Sequence, residues 1–436
     1  MFFSIKKDTV DSRFYNNYQF GELSLNLDNG WNRTQINNAN VFFKGYCDHC
    51  NIADVLVEFV NDPTPKHYGN FCIIICIENA FTITHDLHRK FPIWNYQNVL
   101  ITNLSKKNEN KYGFTGSKIV NGFYEFGHDH EFVEHGKYIK TFKKLSIEYK
   151  NYHQKFNNSN NLSFDDICAQ YNNILASKSN SFVNCNYQKK IFISGGYDSM
   201  ISYSLVEKNC NEDSVFFDSY IIENDIFLEK NYHNLVDCGY EIENSMHHWQ
   251  KKTILTSGFH AEFYLFKHYT MVAAWCAYKN INFLKEFKNY KSYGITSFTR
   301  DNRKPVFENM WSNRSYIQEK YSNINDFHNY LINFALHNHQ HFHLGNTLTW
   351  TPLKDIRLLN LFFSVTDDDI IDQILNNRVE KYIIEKQNKK LLKYISKNKN
   401  KNIFENFKNF QPFKNYVLTS LKEKNQNEIT HIKTNF

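Results

Sequence analysis

The sequence predicts an α/β and α+β protein of two domains, and three observations lead to this prediction. Residues 1–150 consist of short β segments separated by turns that contain Asn, Asp and Gly. From residue 164 onward, short apolar runs alternate with segments of helical spacing, a pattern typical of a parallel sheet with surrounding helices. Between residues 190 and 206, a strand, a turn with two adjacent glycines and a helix follow each other directly. We place the domains at residues 1–150 and 165–436, joined by a polar linker at 151–161.

The individual elements follow from local composition. β-Branched and aromatic runs predict strands at residues 41–43, 68–77, 81–84, 190–193 and 215–222. Residues 78–79 form a turn that joins two of these strands into a hairpin. Helical spacing of Ile52, Val55 and Phe59 predicts a helix over residues 52–60, and further helices are expected from Glu262 to the C-terminus.

Composition excludes some classes of protein. Hydrophobic residues make up 42% of the 436 residues and aromatic residues 17%, which is enough for a core and excludes a globally disordered chain. The net charge of +6 is modest for this length, so we expect no nucleic-acid partner. The longest apolar run, residues 71–77, is far shorter than the ~20 residues of a membrane helix, so we expect no membrane contact.

Nine cysteines and a start without the apolar core of a signal peptide indicate free thiols in the cytoplasm. Cys47 and Cys50 have the spacing of half a zinc site. Cys72 and Cys76 are four residues apart on an expected strand, about 13 Å, which is too far to complete that site. They are expected to be small buried apolar residues. Four alternating histidines have no interleaved carboxylate or cysteine: His337, His339, His341 and His343. We expect no zinc ion at either place.

The double-glycine turn carries the strongest chemical signal. Its residues are Ser194, Gly195, Gly196, Tyr197, Asp198 and Ser199. Adjacent glycines let backbone N–H groups turn inward, and the helix N-terminus adds partial positive charge. The two serine hydroxyls are further donors, and Asp198 can hold a divalent cation against phosphate oxygens. The segment is therefore predicted to bind a phosphate-rich anion.

The order S-G-G-Y-D-S resembles the pyrophosphate-binding loop of the PP-loop ATP pyrophosphatases, the family of asparagine synthetase and β-lactam synthetase. Residues 41–46 also resemble the F-N-G-E segment of that family, and residues 69–71, 83–86 and 91–96 resemble its glutaminase hairpin. The resemblance implies a glutaminase-like β-sandwich followed by a PP-loop domain with a parallel sheet. It also implies that ATP and Mg²⁺ are cofactors. The pyrophosphate of ATP would be bound by Ser194, Gly195, Gly196 and Ser199.

The first domain departs from the family at two positions. Its glutaminases carry a cysteine directly after the initiator Met, and the thiolate attacks the amide of glutamine. This chain has Phe2 there, and Lys44 stands where the family has an Asn that helps to stabilise the oxyanion. Cys47 and Cys50 lack a neighbouring α-amino group and cannot substitute. The resemblance therefore implies a degenerate glutaminase-like domain, with nitrogen supplied by free ammonia or a substrate amine.

A second pyrophosphate-facing loop of the family, S-G-x-G-(A/S)-D-E, resembles residues 256–262. Ser257 and Gly258 are retained, and Glu262 stands for the Asp that helps to hold magnesium. The resemblance thus implies that Ser257 and Gly258 contact the nucleotide and that Asp198 and Glu262 bind the metal ion. The alternative is that Glu262 only stabilises the start of a helix.

Two later segments complete the comparison. Residues 350–358 resemble the family element P-F-L-D-x-R-L, in which Asp355 and Arg357 are expected to form a buried ion pair. The family also has a lysine that stabilises negative charge on the adenylate. Lys397 and Lys399 both fit that role, and the sequence does not choose between them.

The function implied by the resemblance is a ligase that adenylates a carboxylate and transfers the acyl group to ammonia or an amine. The carboxylate is expected to belong to a small molecule or a peptide, and a homodimer is left open. Two alternatives remain at this point: a PP-loop enzyme that modifies a nucleotide or tRNA, and a catalytically inactive binding subunit. The altered second loop favours the inactive subunit, whereas the intact S-G-G-Y-D-S segment argues against it.

Overall fold

The computed structural model describes the following residues: 3–7, 16–27, 30–48, 50–78, 80–87, 94–96, 99–101, 117–126, 137–143, 146–151, 162–184, 188–193, 197–210, 215–217, 253–256, 261–286, 297–337, 348–394, 412 and 414–424. The fold within these ranges is mixed α/β. The linker expected at 151–161 lies outside them, apart from its first residue, which ends a strand.

The N-terminal part is built from antiparallel strands and one helix. The strands are β1 (Phe3–Lys7), β2 (Asn16–Phe20), β3 (Leu23–Leu27), β4 (Asn32–Ile36), β5 (Ala39–Cys47), β6 (Gly69–Ile77), β7 (Ala80–His85), β8 (Trp94–Tyr96), β9 (Val99–Ile101), β10 (Ser117–Val120), β11 (Phe123–Phe126), β12 (Lys137–Lys143) and β13 (Ser146–Asn151), and the helix is α1 (Ile52–Asn61). One sheet has the order β2-β3-β1-β9-β8, a second has the order β13-β12-β7-β6-β5-β4, and β10 pairs with β11.

The two larger sheets pack face to face. Ring centroids of Tyr18 and Phe42 are 4.8 Å apart, and those of Phe20 and Phe81 are 5.5 Å apart. The other face of the six-stranded sheet packs against α1. Because β6 is covered on both faces, its residues 71–77 are an unbroken apolar run and do not alternate.

The predicted β6–β7 hairpin and the predicted helix are confirmed. The pairing of β6 with β7 ends at Ile77 and Ala80, which leaves a two-residue turn. Glu78 in that turn has φ of 48°, the left-handed conformation that such turns require. Helix α1 starts after Asn51, whose side-chain oxygen accepts a hydrogen bond from the backbone N–H of Ala53 at 3.1 Å.

The expectation of free thiols is correct for some cysteines and wrong for two. Cys47 and Cys50 are joined by a disulfide. Buried cysteines outside any disulfide are found at positions Cys72, Cys76, Cys168, Cys210 and Cys276. Burial raises the pKa of the Cys72 thiol well above its usual range, as expected for a thiol that acts as an apolar side chain.

The C-terminal part contains a parallel sheet, as predicted. Its strands are β14 (Gln188–Ile193), β15 (Val215–Phe217), β16 (Thr253–Thr256) and β17 (Leu348–Trp350), in the order β15-β14-β16-β17. All three pairings are parallel. Residues 218–222, which were expected to extend β15, lie outside the described residues.

Helices surround this sheet: α2 (Phe164–Asn184), α3 (Tyr197–Val206), α4 (Ala261–Tyr264), α5 (Tyr269–Tyr278), α6 (Phe283–Glu286), α7 (Ser297–Ser312), α8 (Arg314–Lys320), α9 (Ile324–His337), α10 (Ile356–Phe362), α11 (Asp367–Asn376) and α12 (Arg378–Asn388). The buried Tyr171 of α2 ties three elements together, because its hydroxyl lies 2.7 Å from the carbonyl oxygens of both Tyr264 and Leu358. His337 ends α9, and the other three alternating histidines lie outside the described residues.

One continuous apolar cluster contains residues of the antiparallel sheets and of the parallel sheet with its helices. The packing therefore leaves the predicted division into two domains unconfirmed. Among the helices that the structure describes, none is long and apolar enough to cross a bilayer.

Candidate functional site

Two predicted loops begin at the same edge of the parallel sheet. β14 is followed by α3, and β16 is followed by α4. β14 and β16 are parallel neighbours, so both strands end at the carboxyl edge. β15 lies on the other side of β14, and the order in which the chain fills the sheet therefore reverses between β14 and β16. Ligands of open α/β sheets bind in the crevice at such a switch point.

The structure describes three of the predicted site residues: Asp198, Ser199 and Glu262. The others lie outside the described residues: Ser194, Gly195, Gly196, Ser257, Gly258, Lys397 and Lys399. Asp198 and the buried Ser199 lie in the first turn of α3, and Glu262 lies in the first turn of α4.

Asp198 and Glu262 interact electrostatically. The surroundings of Asp198 together raise its pKa to about 7. The largest cause is desolvation, because the carboxylate has lost most of its surrounding water although the residue keeps some exposure. The negative charge of Glu262 also raises this pKa, and the positive charge of Lys267 opposes both effects. Two carboxylates this close repel each other, and a cation between them would relieve that repulsion.

The available donors fit a hard divalent cation. Asp198 and Glu262 contribute carboxylate oxygens, which magnesium prefers over nitrogen or sulfur. Magnesium is usually held by one or two carboxylates together with substrate phosphates. The pair is therefore suited to a magnesium ion that also binds a phosphorylated ligand.

A tight turn after α4 brings Lys267 close to Asp198 and Glu262. Two residues after the end of α4, Phe266 adopts the left-handed conformation, at φ of 53°. The backbone N–H of Lys267 then donates to the carbonyl of Glu262 at 2.7 Å, which closes a Schellman-type cap. A bulky residue is rare in this conformation, and here the buried Phe266 ring packs against Trp275 and Phe362.

Contacts with Glu380, Asn377 and Tyr197 hold the Lys267 ammonium in position. It forms an ion pair with the buried Glu380, donates to the side-chain oxygen of Asn377, and lies 5.8 Å from the ring centroid of Tyr197. Gln373 in turn donates to Glu380 at 2.8 Å. Because Tyr197 precedes Asp198, the lysine lies beside the start of α3.

Lys267 is a candidate site residue that the sequence alone does not reveal. The chain contains many lysines, and nothing in the pattern around this one marks it. The signal that could have identified it is its position shortly after the second predicted loop. Its orientation depends on the left-handed Phe266 and on α12, and neither can be read from local spacing.

A second cluster of charges lies where the two parts of the chain meet. The Lys178 ammonium is 3.0 Å from a carboxylate oxygen of Asp355 and 3.4 Å from one of Asp48. Arg357 contacts Asp355 with its Nε at 2.9 Å and a terminal nitrogen at 2.5 Å, and its guanidinium stacks over the Tyr68 ring at 4.2 Å. The Asp355–Arg357 ion pair was predicted, whereas Asp48 and Lys178 were not.

The segment that resembles the F-N-G-E element lies in β5. Lys44 is buried, with 1% of its surface exposed. Gly45 has φ of 121°, and a Cβ there would lie 2.0 Å from the carbonyl oxygen of Asn70. Glycine is therefore required by the close approach of β6, whatever the chemistry of the neighbouring residues.

A scan against models of known protein families and a search of curated proteins each found no match to this chain.

Proposed function

We propose that this chain is an ATP-dependent, amide-forming synthetase that releases AMP and pyrophosphate. One observation carries the proposal. Asp198 and Glu262 lie in the first turns of two helices that follow neighbouring parallel strands, at the switch point of the sheet, and their charges interact. The resemblance of residues 194–199 to a PP-loop adds the expectation that the ligand is ATP.

In this proposal Asp198 and Glu262 hold a magnesium ion, which when bound neutralises charge on the β- and γ-phosphates. The phosphates are bound by the loop residues Ser194, Gly195, Gly196, Ser199, Ser257 and Gly258. A substrate carboxylate attacks the α-phosphorus, and pyrophosphate leaves. Ammonia or an amine then attacks the acyl carbon, and AMP leaves. Positioning and electrostatic stabilisation supply the catalysis, because the protein forms no covalent bond.

The proposed reaction also requires positively charged side chains near the phosphates and the adenylate. Lys267 lies beside Asp198 and is held by the buried Glu380, which supports a role in positioning the phosphates. Lys397 or Lys399 would stabilise the charge of the adenylate, as the resemblance implies. Asp355 and Arg357 are assigned a structural role because each is satisfied by the other.

We assign residues 1–150 as a degenerate glutaminase-like domain and residues 165–436 as the PP-loop domain. The two packed antiparallel sheets support the first assignment, and the parallel sheet supports the second. The buried Lys44 stands where the resemblance implies an Asn that stabilises the oxyanion, so in this proposal the nitrogen comes from ammonia or a substrate amine. A cytoplasmic location belongs to the same proposal, because ATP is the substrate.

The test combines binding with product analysis. Magnesium-ATP binding is measured for the native chain, Asp198→Asn and Glu262→Gln. Glu308→Gln is the matched control, since it removes the same charge from an exposed position on α7. We expect each site variant to weaken binding at least tenfold and the control to leave it unchanged. The native chain is then incubated with magnesium-ATP, ammonium and pools of carboxylic acids, and the nucleotide products are separated.

AMP and pyrophosphate in equal amounts are the expected products. ADP and orthophosphate would refute the proposed reaction. Binding that responds to Asp198→Asn and Glu262→Gln, with no AMP from any pool, would instead favour an inactive binding subunit.

A further inference from the structure

A sulfur–nitrogen cluster lies at the end of β5, apart from the switch point of the parallel sheet. The side-chain donor atoms of Cys47, Cys50 and His67 all lie within 4.8 Å of one another. Cys47 is buried, whereas Cys50 and His67 are partly exposed, so the cluster is open to solvent on one side.

Strand pairing creates this cluster. Cys47 ends β5, and Cys50 lies just before α1. His67 comes shortly before β6, which pairs with β5 in the register Cys47 to Gly69. A backbone hydrogen bond from Asp48 to the carbonyl of Tyr68, at 2.8 Å, extends this pairing. The register therefore brings His67 opposite the Cys47–Cys50 turn.

The imidazole of His67 is oriented as in a metal ligand. Its Nε2 lies 2.7 Å from a carboxylate oxygen of Glu58, and its Nδ1 lies 3.6 Å from Sγ of Cys50. A carboxylate accepts hydrogen bonds, so the Nε2–H of His67 is the donor to Glu58. In the neutral imidazole this leaves the lone pair on Nδ1, the nitrogen that faces Sγ of Cys50. Zinc-binding histidines are held by carboxylates in this way.

We propose that the thiolates of Cys47 and Cys50 and Nδ1 of His67 bind one zinc ion when the disulfide is reduced. Zinc accepts two sulfurs and one nitrogen, with water as the fourth ligand of a tetrahedral site. Magnesium and calcium are excluded because they require oxygen ligands. The inference is independent of the proposed function, since it uses none of the same residues.

The disulfide and the zinc site are alternative states of the same two cysteines. A dithiol reductant supplies two electrons and two protons, which break the Cys47–Cys50 bond to give two thiols, and the reductant becomes a disulfide. Binding of Zn²⁺ then releases the two thiol protons to solvent. Only the reduced protein can therefore bind zinc at this site.

The experiment uses the full chain. It is reduced with a dithiol, desalted without oxygen, exposed to excess Zn²⁺, and passed over a weak chelating resin before metal analysis. We expect one zinc per reduced chain and none in the oxidised chain. Cobalt in place of zinc should give the absorption bands of a tetrahedral thiolate complex. Cys76→Ala, which removes a buried thiol of β6, is the matched control and should retain the metal.

Two variants test the ligand assignment. Cys50→Ser should abolish retention of zinc. Glu58→Gln keeps both cysteines and changes a half-exposed side chain, so the chain should fold, and its zinc affinity should fall by about 10–100-fold. The proposal is overturned if the reduced chain retains no stoichiometric zinc, or if both variants retain it as tightly as the native chain.

Discussion

Replacing Lys178 by Met should lower the free energy of unfolding by about 3–5 kcal/mol, the usual cost of removing one partner from a buried ion pair. The Lys178 side chain is fully buried, at 3.0 Å from Asp355 and 3.4 Å from Asp48, and both of those carboxylates are fully buried. With an effective dielectric constant of about 20, each contact is worth roughly 5 kcal/mol before desolvation is subtracted. Asp355 retains Arg357 at 2.5 Å in the variant, whereas Asp48 retains it only at 3.9 Å. Most of the cost should therefore come from Asp48.

A double-mutant cycle in urea measures the energetic coupling between Lys178 and Asp48. Adding Asp48→Asn to Lys178→Met should recover about 1–3 kcal/mol, because the neutral amide no longer needs the cation. Lys304→Met is the control. The Lys304 side chain is 62% exposed and pairs with Glu308 on one face of α7, so its replacement should cost less than about 1 kcal/mol. A loss for Lys178→Met as small as that for Lys304→Met, or strict additivity with Asp48→Asn, would refute the view that these charges act as one unit.

Three further outcomes are expected. The pKa of Asp198 is raised from 3.8 to about 7, so the folded chain binds a proton more tightly than the unfolded chain. The free energy of unfolding of the metal-free chain should therefore fall as pH rises from 3.8 to about 7. Asp198→Asn should flatten that slope in urea titrations, and an unchanged slope would contradict it. Phe266→Gly should destabilise the chain by about 2–4 kcal/mol. Loss of the buried ring outweighs the relief of about 1 kcal/mol of left-handed backbone strain. A variant more stable than the native chain would show that the strain dominates. Under the proposed assignment of residues 1–150 as a degenerate glutaminase-like domain, incubation with glutamine should release no glutamate, because Lys44 stands where the oxyanion-stabilising Asn is expected; glutamate released above a protein-free control would contradict this.

Local patterns predicted those features whose causes are local. The β6–β7 hairpin follows from apolar runs on either side of a two-residue turn, and the start of α3 follows from a strand, two glycines and a helical run. The sequence also predicted that Asp198 and Glu262 would meet, through resemblance to a two-loop pattern. Their electrostatic interaction agrees with that arrangement but does not test the catalytic roles.

Features that depend on distant pairing were missed. His67 was not associated with Cys47 and Cys50 because only the register of β5 with β6 brings it there. Lys178 meets Asp355 across 177 positions of the chain, and no local period encodes that contact. The strand order, which defines the switch point, is also a global property of the sheet. Composition likewise could not distinguish a bonded pair of cysteines from free ones.

Because β6 is buried on both faces, partial unfolding of the chain exposes a strand that is prone to aggregation. Residues 71–77, F-C-I-I-I-C-I, carry no charge, proline or glycine, and such segments form intermolecular β-structure when exposed. In the native fold β5 and β7 occupy both of its edges, and the second sheet and α1 cover its faces. Any partly unfolded state in which β5 separates from β6 exposes one edge of this apolar strand. Thermal denaturation should therefore end in aggregation, with an apparent midpoint that depends on the heating rate.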